Sequence, residues 1–144
     1  MRKLGIDYGE ARVGVAITDP LNITAQGLET IQRNNSDKVV LRRLDEIFKE
    51  YEVDTIVVGM PLNMNGTISE RAKITEQFIH KLKCKYNKMK IDTVDERLTT
   101  VEAHKTMNFL DVNKNKKKNI VDTISAVYIL ETYLNKLKNT LKND

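Results

Sequence analysis

Hydrophobic positions recur with two different periods along this chain. Over residues 3–8 and 12–19 the pattern is that of strands, most plainly at Val13, Val15 and Ile17, which alternate as on a half-buried sheet surface. Gly9-Glu10-Ala11 separates the two runs and predicts a hairpin, and residues 28–31 predict a third antiparallel strand. Asn35 and Ser36 then offer N-caps to a helix reaching about residue 51, with Val39, Val40, Leu44, Ile47 and Phe48 on its apolar face. The unbroken apolar run 55–59 predicts a central strand covered on both faces. Ser69 caps a second helix whose core stripe is Ala72, Ile74, Phe78, Ile79 and Leu82, and residues 91–95 return as a strand. Thr99 and Glu102 fit a capping box opening another helix. After a loop rich in Lys and Asn, a last helix is predicted from about residue 120 to 141, with Ile120, Ile124, Val127 and Leu134 inward.

Three antiparallel strands followed by strand-helix-strand crossovers give an α/β fold, a mixed five-stranded sheet with helices on both faces. In such sheets binding sites gather at the carboxyl ends of the parallel strands. The length of 144 residues suits one domain spanning 1–144, able to bury roughly two-thirds of its unfolded surface. Lys and Arg exceed Asp and Glu by 24 to 20, a modest basic balance that permits nucleic-acid binding without establishing it. The single cysteine, Cys84, excludes an internal disulfide, and no stretch approaches a bilayer-spanning length or a signal segment; both point to a cytoplasmic location without membrane partners.

Asp7 stands out against this pattern, a bare carboxylate at the end of an otherwise apolar strand. Burying it unpaired costs several kcal/mol, roughly, unless a cation or solvent meets it. An aspartate before Tyr8-Gly9 also suits a turn that bonds nearby backbone N–H groups. Asp95 and Glu96 end a second strand, and strand alternation admits only one of them to a given site without choosing which. Asp122, in the first turn predicted for the last helix, has a plain alternative role as an anion at the positive end of the helix dipole. The small neighbours Ser125 and Ala126 predict open space over that helix face, wide enough for a cleft.

Acids at two strand ends and on a late helix are what a site for hard divalent cations needs, since Mg²⁺ takes carboxylates, waters and substrate phosphate. Two such ions about 3.5–4 Å apart activate water and stabilise the leaving oxygen of a phosphodiester. Zinc is a poor fit, because His80 and His104 look isolated and Cys84 has no partner at ligand spacing.

Four segments in order resemble the YqgF family of RNase H-like nucleases, also described as Holliday junction resolvases and pre-16S rRNA processing nucleases. They are Leu4-Gly5-Ile6-Asp7-Tyr8-Gly9 with Arg12-Val13-Gly14-Val15-Ala16; Val58-Gly59-Met60-Pro61-Leu62-Asn63-Met64-Asn65-Gly66-Thr67; Asp95-Glu96-Arg97-Leu98-Thr99-Thr100; and Val121-Asp122-Thr123-Ile124-Ser125-Ala126-Val127. The likeness spans nearly the whole chain. It implies an RNase H-like fold and a metal-dependent phosphodiester hydrolase using Mg²⁺ or Mn²⁺, with the catalytic and metal-holding acids on Asp7, Glu96 and Asp122. On that implication we expect Asp7 to lie between two ions, with Glu96 and Asp122 each holding one side. Asn65 departs from the aspartate expected in the second segment, which weakens any metal role for that loop.

Arg71 and Arg97 suit either phosphate or surface acids, since an arginine fork serves both. Lys114, Lys116, Lys117 and Lys118 read as a solvated basic run or, beside the proposed cleft, as a surface that draws the nucleic-acid backbone in. The preferred substrate is the 5′ end of pre-16S rRNA during ribosome biogenesis. Competing readings are a resolvase of branched DNA, a non-catalytic nucleic-acid-binding factor, and an actin-like or sugar-kinase-like nucleotide binder, the last disfavoured by the chain's length. A resolvase needs paired active sites, and the sequence leaves monomer and homodimer both open.

Overall fold

The computed structural model describes residues 1–96 and 114–143, with side chains described over 1–96 and 123–140. Five strands, β1 (Arg2–Tyr8), β2 (Arg12–Thr18), β3 (Ala25–Gln32), β4 (Val53–Met60) and β5 (Lys90–Asp95), form one sheet in the order β3-β2-β1-β4-β5. The first three pair antiparallel, while β4 lies parallel to both β1 and β5. This is the expected mixed sheet. The run expected to be central, β4, is an interior strand between β1 and β5, and β1 occupies the middle.

Three helices are present among the described residues: α1 (Asp37–Glu50), α2 (Glu70–Lys85) and α3 (Lys114–Asn143). Ser36 caps α1 by accepting from the Lys38 N–H, and Asn34 and Asn35 take the left-handed conformation that lets the chain turn into it. Ser69 caps α2 by accepting from the Ala72 N–H.

Side-chain alternation sorts the strands between two layers. Leu4, Ile6 and Tyr8 of β1, with Val13, Val15 and Ile17 of β2 and Ile56 and Val58 of β4, pack against Val40, Leu44 and Ile47 of α1 and Phe78, Ile79 and Leu82 of α2. The opposite face carries a smaller core of Ala16, Val57 and Val94 under Ala126, Ile129, Leu130 and Tyr133 of α3. Arg43 anchors α1 to the edge strand β3 by a bidentate pair with Glu29, at 2.8 and 2.6 Å.

Several sequence expectations need correction. In α2 the buried position is Thr75, whose hydroxyl bonds the Arg71 carbonyl, while Ile74 is 51% exposed. In α3 the sheet-facing stripe is Ser125, Ala126, Ile129, Leu130 and Tyr133; of the expected stripe, Val127 packs against the edge of this core, Ile124 and Leu134 are half-buried, and the Ile120 side chain lies outside the described residues. The stripe was hidden because its first members are small. Ser125 and Ala126 leave no open space: a Cβ on Gly5 would lie 2.9 Å from the Ala126 carbonyl oxygen and 2.6 Å from Leu130 Cγ, so helix and strand are in close contact there. The helix also starts at Lys114, so Lys114, Lys116, Lys117 and Lys118 belong to its opening turns and not to a preceding loop. Lysine is a good helix former, and a polar stretch gives no amphipathic signal. Asp122 therefore lies beyond the first turn, which contains no acid, and the helix-dipole account of this residue loses its basis.

Candidate active site

β1, β4 and β5 run parallel, and the acids lie at the carboxyl ends of β1 and β5. Asp7 is the next-to-last residue of β1, paired with Gly14 of β2, and it shares the α3 side of the sheet with Gly5. Its neighbour Tyr8 turns to the other side, where the ring stacks on Phe78 with centroids 4.2 Å apart. The alternation that puts Tyr8 in the larger core thus puts Asp7 on the opposite face.

The same rule puts Asp95 and Glu96 on opposite faces. Val94 joins the core beneath α3, whereas Ile91 packs with the α1 and α2 side. Glu96 shares the parity of Val94, and its N–H donates to the Met60 carbonyl at 3.1 Å, completing the last β4–β5 pair, Met60 opposite Asp95. Its side chain is 8% exposed, within hydrogen-bonding reach of Asp7. Asp95, opposite Met60, has the parity of Ile91.

Gly59 makes room for this arrangement. A Cβ there would lie 2.5 Å from Ile129 Cδ1 and 3.2 Å from the Glu96 carboxyl carbon. Gly59→Ala is therefore expected to destabilise the protein by about 1–2 kcal/mol through overpacking and to displace Glu96. Denaturant melts and a cleavage assay on the same preparation check both effects; unaltered values in both would contradict the packing argument.

Asp7 and Glu96 form a hydrogen-bonded carboxyl pair. Burial, then the hydrogen bond and negative charge of Glu96, push the Asp7 pKa well above the ordinary carboxylate range, against the pull of the Arg71 guanidinium. A hydrogen bond between two carboxyls needs a proton on one of them. The pair fits a divalent cation on this ground: oxygen donors crowded at one point, repelling each other unless a proton or a cation lies between them. The folded state binds this proton more tightly than the unfolded chain, so stability falls as pH rises from the ordinary carboxylate value through the raised one. Thermal melts in chelator across acid to neutral pH should show the loss, and a divalent salt should restore stability at the upper end. A flat profile would contradict the pairing.

Tyr8 is clamped from three directions. Its hydroxyl donates to Asp37 Oδ1, its ring stacks on Phe78, and its carbonyl accepts from Arg71 Nη2 at 3.3 Å. Burial, followed by the Asp37 contact, pushes the Tyr8 phenol up to about 12. Asp37 also accepts from Arg33 Nε at 2.8 Å and Lys81 Nζ at 2.7 Å. Burial opposes its charge, but the bonds from Lys81, Tyr8 and Arg33 outweigh it and hold the carboxyl below its usual value. Sequence reasoning missed Asp37; its one signal was an acid at the start of a helix, which looks like an ordinary dipole partner.

Among the described residues no three metal-ligating side chains converge; at the carboxyl ends of the strands Asp7 and Glu96 meet as a pair. Asp122 is in α3, four residues before Ala126, and its side chain lies outside the described residues, as do those of Lys114, Lys116, Lys117 and Lys118. Arg97, His104 and the Thr99–Glu102 capping box also lie outside them. Arg71 sits at the sheet edge beside Asp7. Asn65 accepts from the Thr67 N–H and hydroxyl at 3.1 and 2.7 Å, closing a turn in which Gly66 has φ 85°. His80 and Cys84 are not isolated from each other: one helical turn brings Sγ to 3.6 Å from Nε2, although no third ligand joins them among the described residues.

A family model described as RuvX, Holliday junction resolvase, matches residues 1–136. A protein of Ruminiclostridium cellulolyticum, provisionally named a pre-16S rRNA nuclease, is 52% identical over 143 residues, covering 99% of this chain and 100% of its own. A relative from Acetivibrio thermocellus with the same provisional name is 49% identical over 134 residues, 93% of this chain and 95% of its own. Among solved structures, the fowlpox virus Holliday junction resolvase superposes with a TM-score of 0.59 at 14% identity, over 95% of this chain and 99% of that one. T. thermophilus RuvC in complex with Holliday junction substrate gives 0.55 at 11% identity, over 95% and 96%. At these identities the two structures speak for the fold alone, which is RNase H-like.

Proposed function

The chain belongs to the RuvX family of Holliday junction resolvases, and from that membership and its paired carboxyls we propose that it is a metal-dependent nuclease acting on precursor 16S rRNA. The observation that carries the reading is the Asp7–Glu96 pair at the carboxyl edge of β1 and β5. Two carboxyls brought together at one point suit a hard cation, which takes oxygen donors. Mg²⁺ or Mn²⁺, when bound, supplies Lewis-acid stabilisation of phosphoryl oxygens and a water of lowered pKa.

In this reading Asp7 and Glu96 would hold the cation through their carboxylate oxygens, with Asp122 of α3 as the third acid. The hydrogen bond of Glu96 N–H to Met60 fixes one carboxyl, and the Tyr8 clamp fixes the other. The Arg71 guanidinium adds positive charge near the pair, where it pulls against the raised Asp7 pKa. Arg97 and the lysines of the α3 opening turns, Lys114, Lys116, Lys117 and Lys118, supply further positive charge by sequence, drawing the polyanion toward this edge. No described helix is long and apolar enough to cross a membrane.

The relatives' provisional name favours pre-rRNA over a four-way DNA junction. The test is a panel of precursor 16S rRNA, unrelated single-stranded RNA and branched DNA, incubated with the protein in Mg²⁺, in Mn²⁺ and in chelator. Metal-dependent cutting of the rRNA precursor in preference to the others is expected. Preferential cutting of the junction makes the protein a resolvase, and binding without cutting in any metal makes it a non-catalytic factor.

A further inference from the structure

The end of β1 opens toward both sides of the sheet, and only the α3 side is used by the carboxyl pair. On the other side lies a cleft of about 290 Å³ beside Tyr8 and Gly9, lined by Arg33 ahead of α1 and by Arg71, Ile74 and Thr75 of α2. A second cleft of about 240 Å³ adjoins it around the Glu10 turn and shares Arg71. Arg71 therefore stands in both clefts and within electrostatic reach of Asp7.

We propose that the larger cleft is a binding site for a backbone phosphate of the substrate strand, displaced from the bond being cut, with Arg33 and Arg71 as its anion-holding side chains. The proposal rests on the nuclease reading above and extends it to a flanking segment of the substrate.

Arg33 is held in place for this role. Its Nε donates to Asp37, its Nη1 donates to the Glu10 carbonyl at 3.1 Å, and its guanidinium lies 5.5 Å from the centre of the Tyr8 ring. A cation so fixed loses little conformational freedom when an anion arrives. The charges are unequal as well. Asp37 is met by both Arg33 and Lys81, so that cluster carries one positive charge more than it neutralises. Arg71 spends its bond on the neutral carbonyl of Tyr8. Glu10 is the opposing charge in the lining, on an exposed turn.

Ile74 supplies the second half of the recognition. It is a large apolar side chain left 51% exposed at a helix position where the core stripe takes Thr75 instead, and it lines the same cleft as the two guanidiniums. A phosphate flanked by sugar and base offers both an anion and an apolar surface, whereas a free inorganic anion uses only the first.

The test measures binding of labelled single-stranded RNA of increasing length, from about 4 to about 12 nucleotides, in chelator so that nothing is cut. Wild type is expected to gain about tenfold in affinity as the strand grows long enough to reach the cleft, the worth of one charge-assisted contact. Arg33→Gln should lose that gain. Ile74→Glu, at an exposed position where folding is not at risk, should lose it too and decides the matter if Arg33→Gln melts early. Arg42→Gln, which removes the same charge from the exposed face of α1, should keep it. A length-dependent gain unchanged in both Arg33→Gln and Ile74→Glu, or absent from wild type, overturns the proposal. Cleavage of the same strands in Mg²⁺ is scored separately: binding that follows the cleft variants without any cleavage sinks the nuclease reading and leaves the cleft standing.

Discussion

Asp7→Asn is expected to lower metal-dependent cleavage by about a thousandfold while raising the melting temperature of the protein in chelator. The first effect follows from removing one of the two carboxyls that meet at the edge of β1 and β5. Losing several kcal/mol of transition-state stabilisation, about 4, corresponds to about three decades in rate. The second effect has the opposite sign because Asp7 is expensive for the fold. Burial and Glu96 both penalise its ionised form, so an amide that keeps the shape and drops the charge relieves the penalty at neutral pH. A divalent salt should stabilise wild type and leave Asp7→Asn unmoved. Steady-state cleavage and thermal melts with and without metal make the comparison. A variant that cleaves like wild type, or that melts lower in chelator, would contradict the assignment of Asp7 as a functional carboxylate held at the expense of stability.

Gly5→Val is expected to cost about 3 kcal/mol of stability and to depress cleavage along with it. Even a Cβ at this position would lie 2.6 Å from Leu130 Cγ and 2.9 Å from the Ala126 carbonyl oxygen. The leucine can turn away, but the backbone oxygen belongs to α3 and cannot move without the helix. The helix that would have to shift is the one bearing Asp122, and its neighbour Ile129 packs over Gly59 beside Glu96. Denaturant unfolding gives the stability term, and cleavage measured under conditions where the variant is fully folded gives the displacement term. A folded Gly5→Val protein with wild-type cleavage would show that α3 does not need this close approach to serve the site.

Much of this was legible in the residues alone. The antiparallel β1–β2–β3 meander, the capped helices at Ser36 and Ser69 and the apolar run of β4 follow from local period and turn chemistry, and all are present. What escaped the sequence shares one physical cause, that small or polar residues carry the decisive contacts. Ser125 and Ala126 looked like a gap because they are short, yet shortness is what lets α3 reach Gly5. Thr75 took the core position assigned to Ile74 by bonding its hydroxyl to the preceding turn. Polar lysines concealed the first turns of α3 from any reading by hydrophobic period.

The choice between Asp95 and Glu96 shows the limit most clearly. Their strand reads Ile91, Asp92, Thr93, Val94, with neither alternate set cleanly apolar, so parity alone could not say which acid shares a face with Asp7. Only the partition of Ile91 and Val94 between two different cores supplies the answer. Asp37 was missed for a related reason. Its role depends on Arg33, Lys81 and Tyr8, which the fold brings together from the β3–α1 connection, α2 and β1.

If the proposal is right, Asp7 and Glu96, with Asp122, hold divalent cations at the carboxyl edge of the sheet. Anomalous diffraction from crystals of the protein soaked in Mn²⁺ tests it directly. Manganese density is expected between the Asp7 and Glu96 carboxylates with the Asp122 carboxylate in its coordination sphere, and none there in Asp7→Asn crystals. Manganese absent from that position in wild type, with the Asp7 and Glu96 carboxyls still facing one another, would rule this out.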